Sequence, residues 1–214
     1  MAQPHDASLV TPAEYLAFER GSETKHEYLA GRVFAMAGAS PKHNLVCGNV
    51  IRALGDRLRA RRCAVMPSDQ HVYVEATRLG TYPDVTVLCG PAQRHADFPQ
   101  SLVNPALLVE VLSPSTEAYD RGAKFDHYRR IDTLREYVLV STDRFAVDVY
   151  LREADGTWRL SVARGRDAEL RLASVDAVIS LAEIYENIEL VAPEGIEEAS
   201  PYPPRVEVPR RQGN

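Results

Sequence analysis

The chain has few cysteines, and their arrangement argues against two common classes of small protein. Cys47, Cys63 and Cys89 are the three cysteines among 214 residues, and no two of them form a CxxC pair. A structural zinc cage usually needs such pairs, and a disulfide framework needs an even number of cysteines. We therefore expect neither, and the cysteine content favours a reducing compartment, with the cytoplasm as the expected location.

Long apolar runs and an excess of basic residues are also lacking. No apolar segment approaches the roughly 20 residues that cross a bilayer, and the opening MAQPHDASLV lacks the features of a secretory leader. We therefore expect no leader and no membrane partner. The 25 Lys and Arg residues are outnumbered by 30 Asp and Glu residues, which gives a net charge of −5. The chain therefore has no bulk positive charge to attract nucleic acid, although this composition is compatible with a local basic groove.

The composition that remains is typical of a globular protein. Hydrophobic residues make up 45% and charged residues 26% of a chain whose length suits one domain with a packed core. From position 191 onward the sequence is rich in Pro and Glu and poor in apolar residues. We predict a folded domain over residues 1–190 and a flexible C-terminal tail over residues 191–214.

Capping residues and apolar periodicity predict the helices. Thr11 and Glu14 form a capping box that opens a helix reaching about Arg20, and Ser40 precedes a longer helix with proline at its first position. Ser180 opens a last short helix, and residues 113–116 turn into a helix that reaches about residue 131. The long helix carries an apolar residue at every fourth position, namely Val46, Val50, Leu54 and Leu58.

Strand-like segments alternate with these helices. The run ALLVEVL at residues 106–112 is nearly continuous apolar sequence, which is typical of a central strand covered on both faces. Further strands are predicted in HEYLAGRVFAMAG and at residues 63–66, 70–75, 82–88, 136–141, 147–152 and 158–163. This order predicts an α+β fold with a central mixed β-sheet flanked by helices.

Two carboxylates interrupt the apolar strands, and they are the strongest chemical signal in the chain. Asp84 and Glu110 each lie in apolar surroundings, where an unpaired carboxylate is costly to bury. Alternation makes Glu110 the one polar residue on a strand face shared with Leu108 and Leu112. Two such charges about 4 Å apart repel by roughly 4 kcal/mol at an effective dielectric constant of about 20. A shared Mg²⁺ or Mn²⁺ ion would offset that repulsion, since hard divalent ions take oxygen ligands.

A lysine follows on the next helix. Asp120, Lys124 and Tyr128 are four residues apart, so they share one helical face. If this helix packs against the preceding strand, Lys124 would reach a reacting phosphate or the attacking water. A lysine in that position would orient the nucleophile or neutralise charge on the phosphate.

The segments YPDVTVL, LLVEVLSPSTEAYDRGAKFDHYRRI and REYVLVS resemble the bacterial "putative restriction endonuclease" family of the PD-(D/E)XK nuclease superfamily. The resemblance covers roughly residues 11–187. It implies metal-dependent hydrolysis of DNA phosphodiester bonds, with Asp84, Glu110 and Glu27 holding Mg²⁺ or Mn²⁺. The superfamily lysine normally follows the second acid by two positions, where this chain has Leu112. The family resemblance therefore assigns the lysine to Lys124, with Asp84, Glu110 and Lys124 as catalytic residues and a homodimer as the form suited to cutting both strands.

Each assignment has a structural alternative. Asp84 suits an Asx-type turn after proline, Glu110 suits a metal-free salt bridge to Lys124, and Glu27 suits a solvated hairpin position or a pair with Lys25. His43 could approach the site, but a lone histidine is more often structural. The arginines at positions 57, 59, 61 and 62 suit either a solvated helix terminus or contact with a DNA backbone. For the whole protein, the alternative function is a catalytically inactive nuclease-fold module that binds nucleic acid or protein.

Overall fold

The computed structural model describes residues 9–190, so the predicted tail at residues 191–214 lies outside the described residues. Within this range the helices are α1 (Pro12–Gly21), α2 (Pro41–Leu58), α3 (Glu117–Tyr119), α4 (Phe125–Tyr128) and α5 (Leu181–Ile184). A π-helical turn, Asp120–Lys124, joins α3 directly to α4, and a short 3₁₀ turn spans Ala173–Val175. The strands are β1 (His26–Leu29), β2 (Arg32–Ala35), β3 (Cys63–Pro67), β4 (Val72–Val74), β5 (Leu79–Thr81), β6 (Val85–Cys89), β7 (Leu107–Val111), β8 (Glu136–Val140), β9 (Ala146–Arg152), β10 (Trp158–Arg164), β11 (Glu169–Leu172) and β12 (Ala177–Ser180).

A mixed sheet of six strands forms the centre of the fold. Its strand order is β10-β9-β8-β7-β6-β3, with β7 and β8 parallel and the other neighbours antiparallel. A four-stranded sheet of order β2-β1-β5-β4 and the β11-β12 pair complete the described strands. The predicted α+β class, with a central mixed sheet flanked by helices, is confirmed.

Helix α2 covers one face of the central sheet. Ser40 caps it by accepting a hydrogen bond from the backbone N–H of His43, and Pro41 follows as the first helical residue. Its predicted apolar stripe is buried against the inner residues of the sheet, with Val46, Val50, Leu54 and Leu58 at most 2% exposed. Burying one such side chain stabilises the fold by roughly 1.5–3 kcal/mol, so this stripe fixes α2 against the strands that carry the candidate site.

The opposite face of the sheet carries the glutamate. Leu108 and Leu112 pack there with Tyr128 and Tyr137, whereas Leu107, Val109 and Val111 face α2. Glu110 is the next-to-last residue of β7 and is 3% exposed. The predicted alternation is therefore confirmed.

The segment after β7 differs from its prediction in two respects. The helix begins at Glu117, contains the π turn and ends at Tyr128, rather than running uninterrupted to about residue 131. Thr116 occupies the N-cap position but makes no side-chain capping bond. Its hydroxyl lies instead 3.0 Å from the hydroxyl of Ser113. The predicted start of the helix after residue 116 agrees with the structure, whereas the π turn and the earlier end at Tyr128 were not predicted.

Two of the three cysteines form a disulfide, and the sequence-based prediction that argued against one was wrong for this pair. β3 and β6 are antiparallel, and their register places Cys63 opposite Cys89 with the Cα atoms 4.0 Å apart. The two residues are 26 positions apart in the sequence, so neither spacing nor count revealed that they face each other. Cys47 is the free cysteine of the described residues.

The basic run at the end of α2 lies against the C-terminal part of the domain. Arg57 pairs with Glu183 at 2.7 Å, and Arg61 pairs with Asp176 at 2.7 Å. These contacts favour the structural interpretation of the run over DNA contact. In the described residues, every helix is too short or too polar to cross a membrane.

A buried histidine makes the stability of this fold depend on pH. His71 is 7% exposed, and burial lowers its pKa from the ordinary value of 6.5 to about 4. The unfolded chain therefore binds a proton as the pH falls below about 6.5, whereas the folded chain does so only near pH 4. We expect stability to be complete above pH 6.5 and to fall by up to about 3 kcal/mol towards pH 4 through this residue.

Urea unfolding at several pH values tests this expectation. The variant His71→Asn removes the titrating ring and keeps a polar group near Ser101, whose hydroxyl lies beside the Nδ1 atom of His71. The free energy of unfolding should fall more steeply with acid in the wild-type protein than in the variant. Parallel pH profiles for the two proteins would contradict it.

Candidate active site

The four residues predicted to carry the chemistry line one cleft of about 730 Å³. Glu27 comes from β1, Asp84 from the residue before β6, Glu110 from β7 and Lys124 from the end of the π turn. The cleft lies where the four-stranded sheet, the central sheet and the π turn meet. The fold therefore brings together residues that are up to 97 positions apart in the sequence (124 − 27).

Asp84 and Glu110 are brought together by strand pairing. β6 and β7 are antiparallel, with Val85 opposite Val109, so the residue that precedes β6 lies beside the end of β7. The backbone N–H of Val111 donates a hydrogen bond of 2.8 Å to Oδ2 of Asp84. This bond fixes the Asp84 carboxylate beside the strand that holds Glu110. It joins Asp84 to another strand, whereas an Asx-type turn would have joined it to a residue close by in the sequence.

Lys124 lies inside a group of carboxylates. Its Nζ atom is 3.0 Å from Oε1 of Glu110, 3.4 Å from Oε1 of Glu27 and 3.5 Å from Oδ1 of Asp120. The lysine is 4% exposed. The salt bridge between Glu110 and Lys124 that the sequence left open is thus present, and the same ammonium lies within 4 Å of two further acids.

Glu27 is held in the cleft by two hydroxyl groups. Thr81 Oγ1 donates to Oε1 of Glu27 at 2.6 Å, and the Tyr119 hydroxyl donates to Oε2 at 2.9 Å. Glu27 is 9% exposed, and its pairing is with Lys124 rather than with Lys25, whose ion pair is to Asp69. The solvated-hairpin alternative for Glu27 is therefore wrong.

Tyr128 contacts the site directly. Its hydroxyl donates a hydrogen bond of 2.7 Å to Oε1 of Glu110, the same oxygen that Lys124 approaches. The hydroxyl of Tyr137 donates a hydrogen bond of 2.9 Å to the carbonyl of Asp120 within the π turn. The four-residue spacing of Asp120, Lys124 and Tyr128 did place them on one face, and that was the available signal.

His43 extends the site on the side of α2. Its Nε2 atom lies 3.2 Å from Oδ2 of Asp84, and its Nδ1 atom lies 3.5 Å from Sγ of Cys47. Burial by itself lowers the pKa of His43. The hydrogen bond to Asp84 and the negative charge of Asp84 raise this pKa by more than burial lowers it, so the net shift is upward. The sequence indicated that His43 could approach the site, and the structure confirms the contact.

Burial and mutual repulsion dominate the electrostatics of the cleft. Burial raises the pKa of Glu110, the Lys124 ammonium opposes the rise, and the charges of Asp84 and Asp120 reinforce it. Burial likewise raises the pKa of Asp120, against the lowering effect of Lys124. Burial lowers the pKa of Lys124, but the surrounding carboxylates more than reverse this, so the lysine stays charged.

The donor atoms of this cleft fit a hard divalent cation. The acidic residues that line it are Glu23, Glu27, Asp84, Glu110 and Asp120, and the lysines are Lys25 and Lys124. Five carboxylates against two ammonium groups leave an excess of three negative charges when all are ionised. Mg²⁺ and Mn²⁺ prefer carboxylate oxygens, and one such ion would offset much of this excess. Glu27, Asp84 and Glu110 are the residues that could hold it.

Most of the chain matches one protein family and two related proteins. The model of the Uma2 family, described as "Putative restriction endonuclease", matches residues 12–182. Two uncharacterized proteins of Synechocystis sp., slr1290 and sll1609, are 36% and 32% identical to the chain over 179 and 165 residues. These alignments cover 84% and 77% of this chain, and 93% of each relative.

A solved structure shares the fold. It is the crystal structure of a "putative nuclease belonging to DUF820" from Anabaena variabilis, which superposes with a TM-score of 0.67 at 17% sequence identity. The superposition covers 82% of this chain and 97% of that one. At this identity the likeness establishes a common fold.

Proposed function

Because the chain belongs to the Uma2 family, described as "Putative restriction endonuclease", we propose that it is a metal-dependent endodeoxyribonuclease. The reaction would be hydrolysis of a DNA phosphodiester bond in the acidic cleft, with Mg²⁺ or Mn²⁺ as the cofactor. Asp84, Glu110 and Lys124 are proposed as the catalytic residues, and Glu27 joins the two acids as a ligand of the ion.

The acidic character of the cleft is the observation that carries this proposal. A DNA backbone is a line of negative charges, and by itself it would be repelled by a cleft with five carboxylates and two lysines. A nuclease at this site therefore needs a divalent cation before the phosphate can approach. Glu27 accepts hydrogen bonds from Thr81 and Tyr119, and Glu110 accepts one from Tyr128. Asp84 accepts one from the backbone N–H of Val111, so the proposed ligand oxygens are already oriented.

Each residue of the site has a separate proposed task. Asp84, Glu110 and Glu27 would hold the ion, which supplies charge neutralisation at the phosphate and makes water a stronger nucleophile. The ammonium of Lys124 would stabilise the negative charge that develops on the phosphate oxygens. Tyr128 would keep the Glu110 carboxylate in place through its hydrogen bond. A homodimer with two-fold symmetry would present one cleft to each DNA strand.

A second candidate function is favoured by one observation. Lys124 and Glu110 already satisfy each other at 3.0 Å, as they would in a nuclease-fold module that binds nucleic acid or protein without cleaving it. Such a module needs no cation for its fold or its binding. The two functions therefore predict opposite responses to chelation.

Cleavage of supercoiled plasmid and circular single-stranded DNA by the full chain tests the proposal. We expect nicked or linear products with Mg²⁺ or Mn²⁺ and none with EDTA, because the acidic cleft requires a cation. DNA retention in a mobility-shift assay that is unchanged by EDTA, without cleavage under any condition, would instead establish the binding module. Cleavage that persists in EDTA would contradict the metal requirement.

A further inference from the structure

A second group of ligand atoms lies beside the acidic cleft. His43 and Cys47 are one turn apart on α2, and Asp84 faces them from the start of β6. One donor atom from each of the three residues lies within 4.8 Å of the other two. Only Asp84 belongs to both this group and the proposed ligands of Mg²⁺.

The chemistry of this group differs from that of the carboxylates. It offers a sulfur, an imidazole nitrogen and a carboxylate oxygen, whereas Mg²⁺ takes oxygen ligands and has little affinity for sulfur. Zn²⁺ and related transition-metal ions bind all three donor types, usually with four ligands in a tetrahedron. We propose that His43, Cys47 and Asp84 form a binding site for a transition-metal ion of the Zn²⁺ class.

The three side chains are already held close to one another by the fold. Cys47 Sγ lies 3.5 Å from Nδ1 of His43, whose other ring nitrogen lies 3.2 Å from the Asp84 carboxylate. The backbone N–H of Val111 restrains that carboxylate, and the packing of α2 on the central sheet restrains the helix. Restrained ligands lose little conformational freedom on binding, which favours affinity.

The site also has access to solvent. His43 and Asp84 line the cleft, whereas Cys47 lies behind them and is partly buried. Three protein ligands leave one tetrahedral position for a molecule that enters from the cleft, which is the composition of an open zinc site rather than a closed structural one. Paired cysteines, which are typical of a closed structural zinc site, are not needed for an open one.

This inference goes beyond the proposed nuclease and does not depend on it. Zn²⁺ binding is measured directly, so a chain that cleaves no DNA could still carry the site, and an active nuclease could lack it. A substitution of Cys47 distinguishes the two proposed metal sites, because Cys47 is not a ligand of the proposed Mg²⁺ ion.

Cobalt spectroscopy on the full chain tests the proposal. With Co²⁺ as the probe, we expect an intense thiolate-to-cobalt charge-transfer band, removed by one equivalent of Zn²⁺ and retained in millimolar Mg²⁺. In Cys47→Ser the band should be absent, and the Kd for Zn²⁺ should rise at least about tenfold, since loss of a ligand costs no less than loss of its hydrogen-bond partner. The substitution removes one sulfur atom from a partly buried position, and circular dichroism checks the fold.

The two disulfide-bonded cysteines provide the matched control. The double variant Cys63→Ser/Cys89→Ser leaves Cys47 as the one cysteine of the chain, and it should keep the charge-transfer band. A third variant, His43→Asn, should weaken Zn²⁺ binding while leaving the thiol in place. A wild-type chain without the band would overturn the proposal, as would a band that survives in Cys47→Ser. Loss of the band in a folded Cys63→Ser/Cys89→Ser variant would overturn it as well.

Discussion

Replacing Asp84 by Asn or Glu110 by Gln is expected to reduce Mg²⁺-dependent DNA cleavage by more than about 100-fold, since each change replaces a proposed charged ligand of the ion by a weaker, neutral one. Both substitutions keep the shape of the side chain and remove its charge. Each amide oxygen remains a weaker ligand, so the loss should come mainly from weakened ion binding. Cleavage rates measured over a range of Mg²⁺ concentrations would detect partial recovery at high concentration.

Stability measurements give a second readout of the same change. A ligand that binds only the folded state stabilises it by about 2.7 kcal/mol at a concentration 100 times its Kd. Mn²⁺ should therefore raise the melting temperature of the wild-type protein and raise that of Asp84→Asn or Glu110→Gln much less. This comparison reports ion binding even if the correct DNA substrate has not been found.

Glu136 provides a control that is matched for burial. It lies in β8, next to the strand of Glu110, and is 1% exposed, but it accepts hydrogen bonds from Ala173 and Ser174 outside the cleft. Glu136→Gln should lower stability without changing the Mg²⁺ dependence of cleavage. Equal loss of cleavage in Glu136→Gln and Glu110→Gln would mean that both act through the fold, which would contradict the ligand assignment.

The parts of the fold that follow from local patterns were predictable. The capping box at Thr11 and the proline after Ser40 gave the starts of α1 and α2, because capping is decided within one helical turn. The apolar alternation around Glu110 gave its strand and its face. These signals involve residues that are at most a few positions apart.

The parts that depend on long-range register were not predictable from local patterns. Cys63 faces Cys89 only because β3 pairs with β6 in one register, and a shift of one residue would send the two side chains to opposite faces. The short strands β5, β11 and β12 were missed for a related reason. Each has three or four residues, too few to show a period, and its pairing with another strand decides its conformation.

The sequence predicted which residues form the candidate site, but not the hydrogen bonds and the π turn that hold them. Asp84 and Glu110 were predicted because a carboxylate in an apolar strand is costly. Lys124 was predicted from its helical face together with the family resemblance, and Glu27 from the resemblance alone. The hydrogen bond from Tyr128 to Glu110 and the π turn that contains Lys124 left no distinct sequence signal. A π turn keeps residues four apart near one another, so its spacing is indistinguishable from that of an ordinary helix.

Lys124→Met is expected to lower the free energy of unfolding by about 3–5 kcal/mol in the absence of divalent ions. The substitution leaves Glu110, Glu27 and Asp120 without the ammonium that lies within 4 Å of all three. All three carboxylates are at most 9% exposed, so solvent can do little to replace the lost partner. Mn²⁺ should restore part of the stability, because it supplies positive charge to the same carboxylates. Urea unfolding with EDTA and with Mn²⁺ measures both effects.

Two further variants separate the buried pair from general effects of losing a lysine. Lys25→Met removes a lysine whose partner, Asp69, is well exposed, and it should cost less than about 1 kcal/mol. The double variant Lys124→Met/Glu110→Gln should be more stable than Lys124→Met, since it removes the unpaired charge as well. If the double variant is instead as unstable as the sum of the two single changes predicts, the Lys124–Glu110 interaction contributes little.

The activity of Lys124→Met then distinguishes two roles of this lysine, which are to balance the charge of the carboxylates and to stabilise negative charge on the phosphate. With Mn²⁺ present and the fold intact, a residue that only balances charge is dispensable, because the ion takes over that role. A residue that stabilises negative charge on the phosphate is still needed, and we expect cleavage to be at least about 100-fold slower, as for removal of one preorganised group at a developing charge. Wild-type cleavage by folded Lys124→Met would restrict Lys124 to a structural role and leave the chemistry to the carboxylates and their ion.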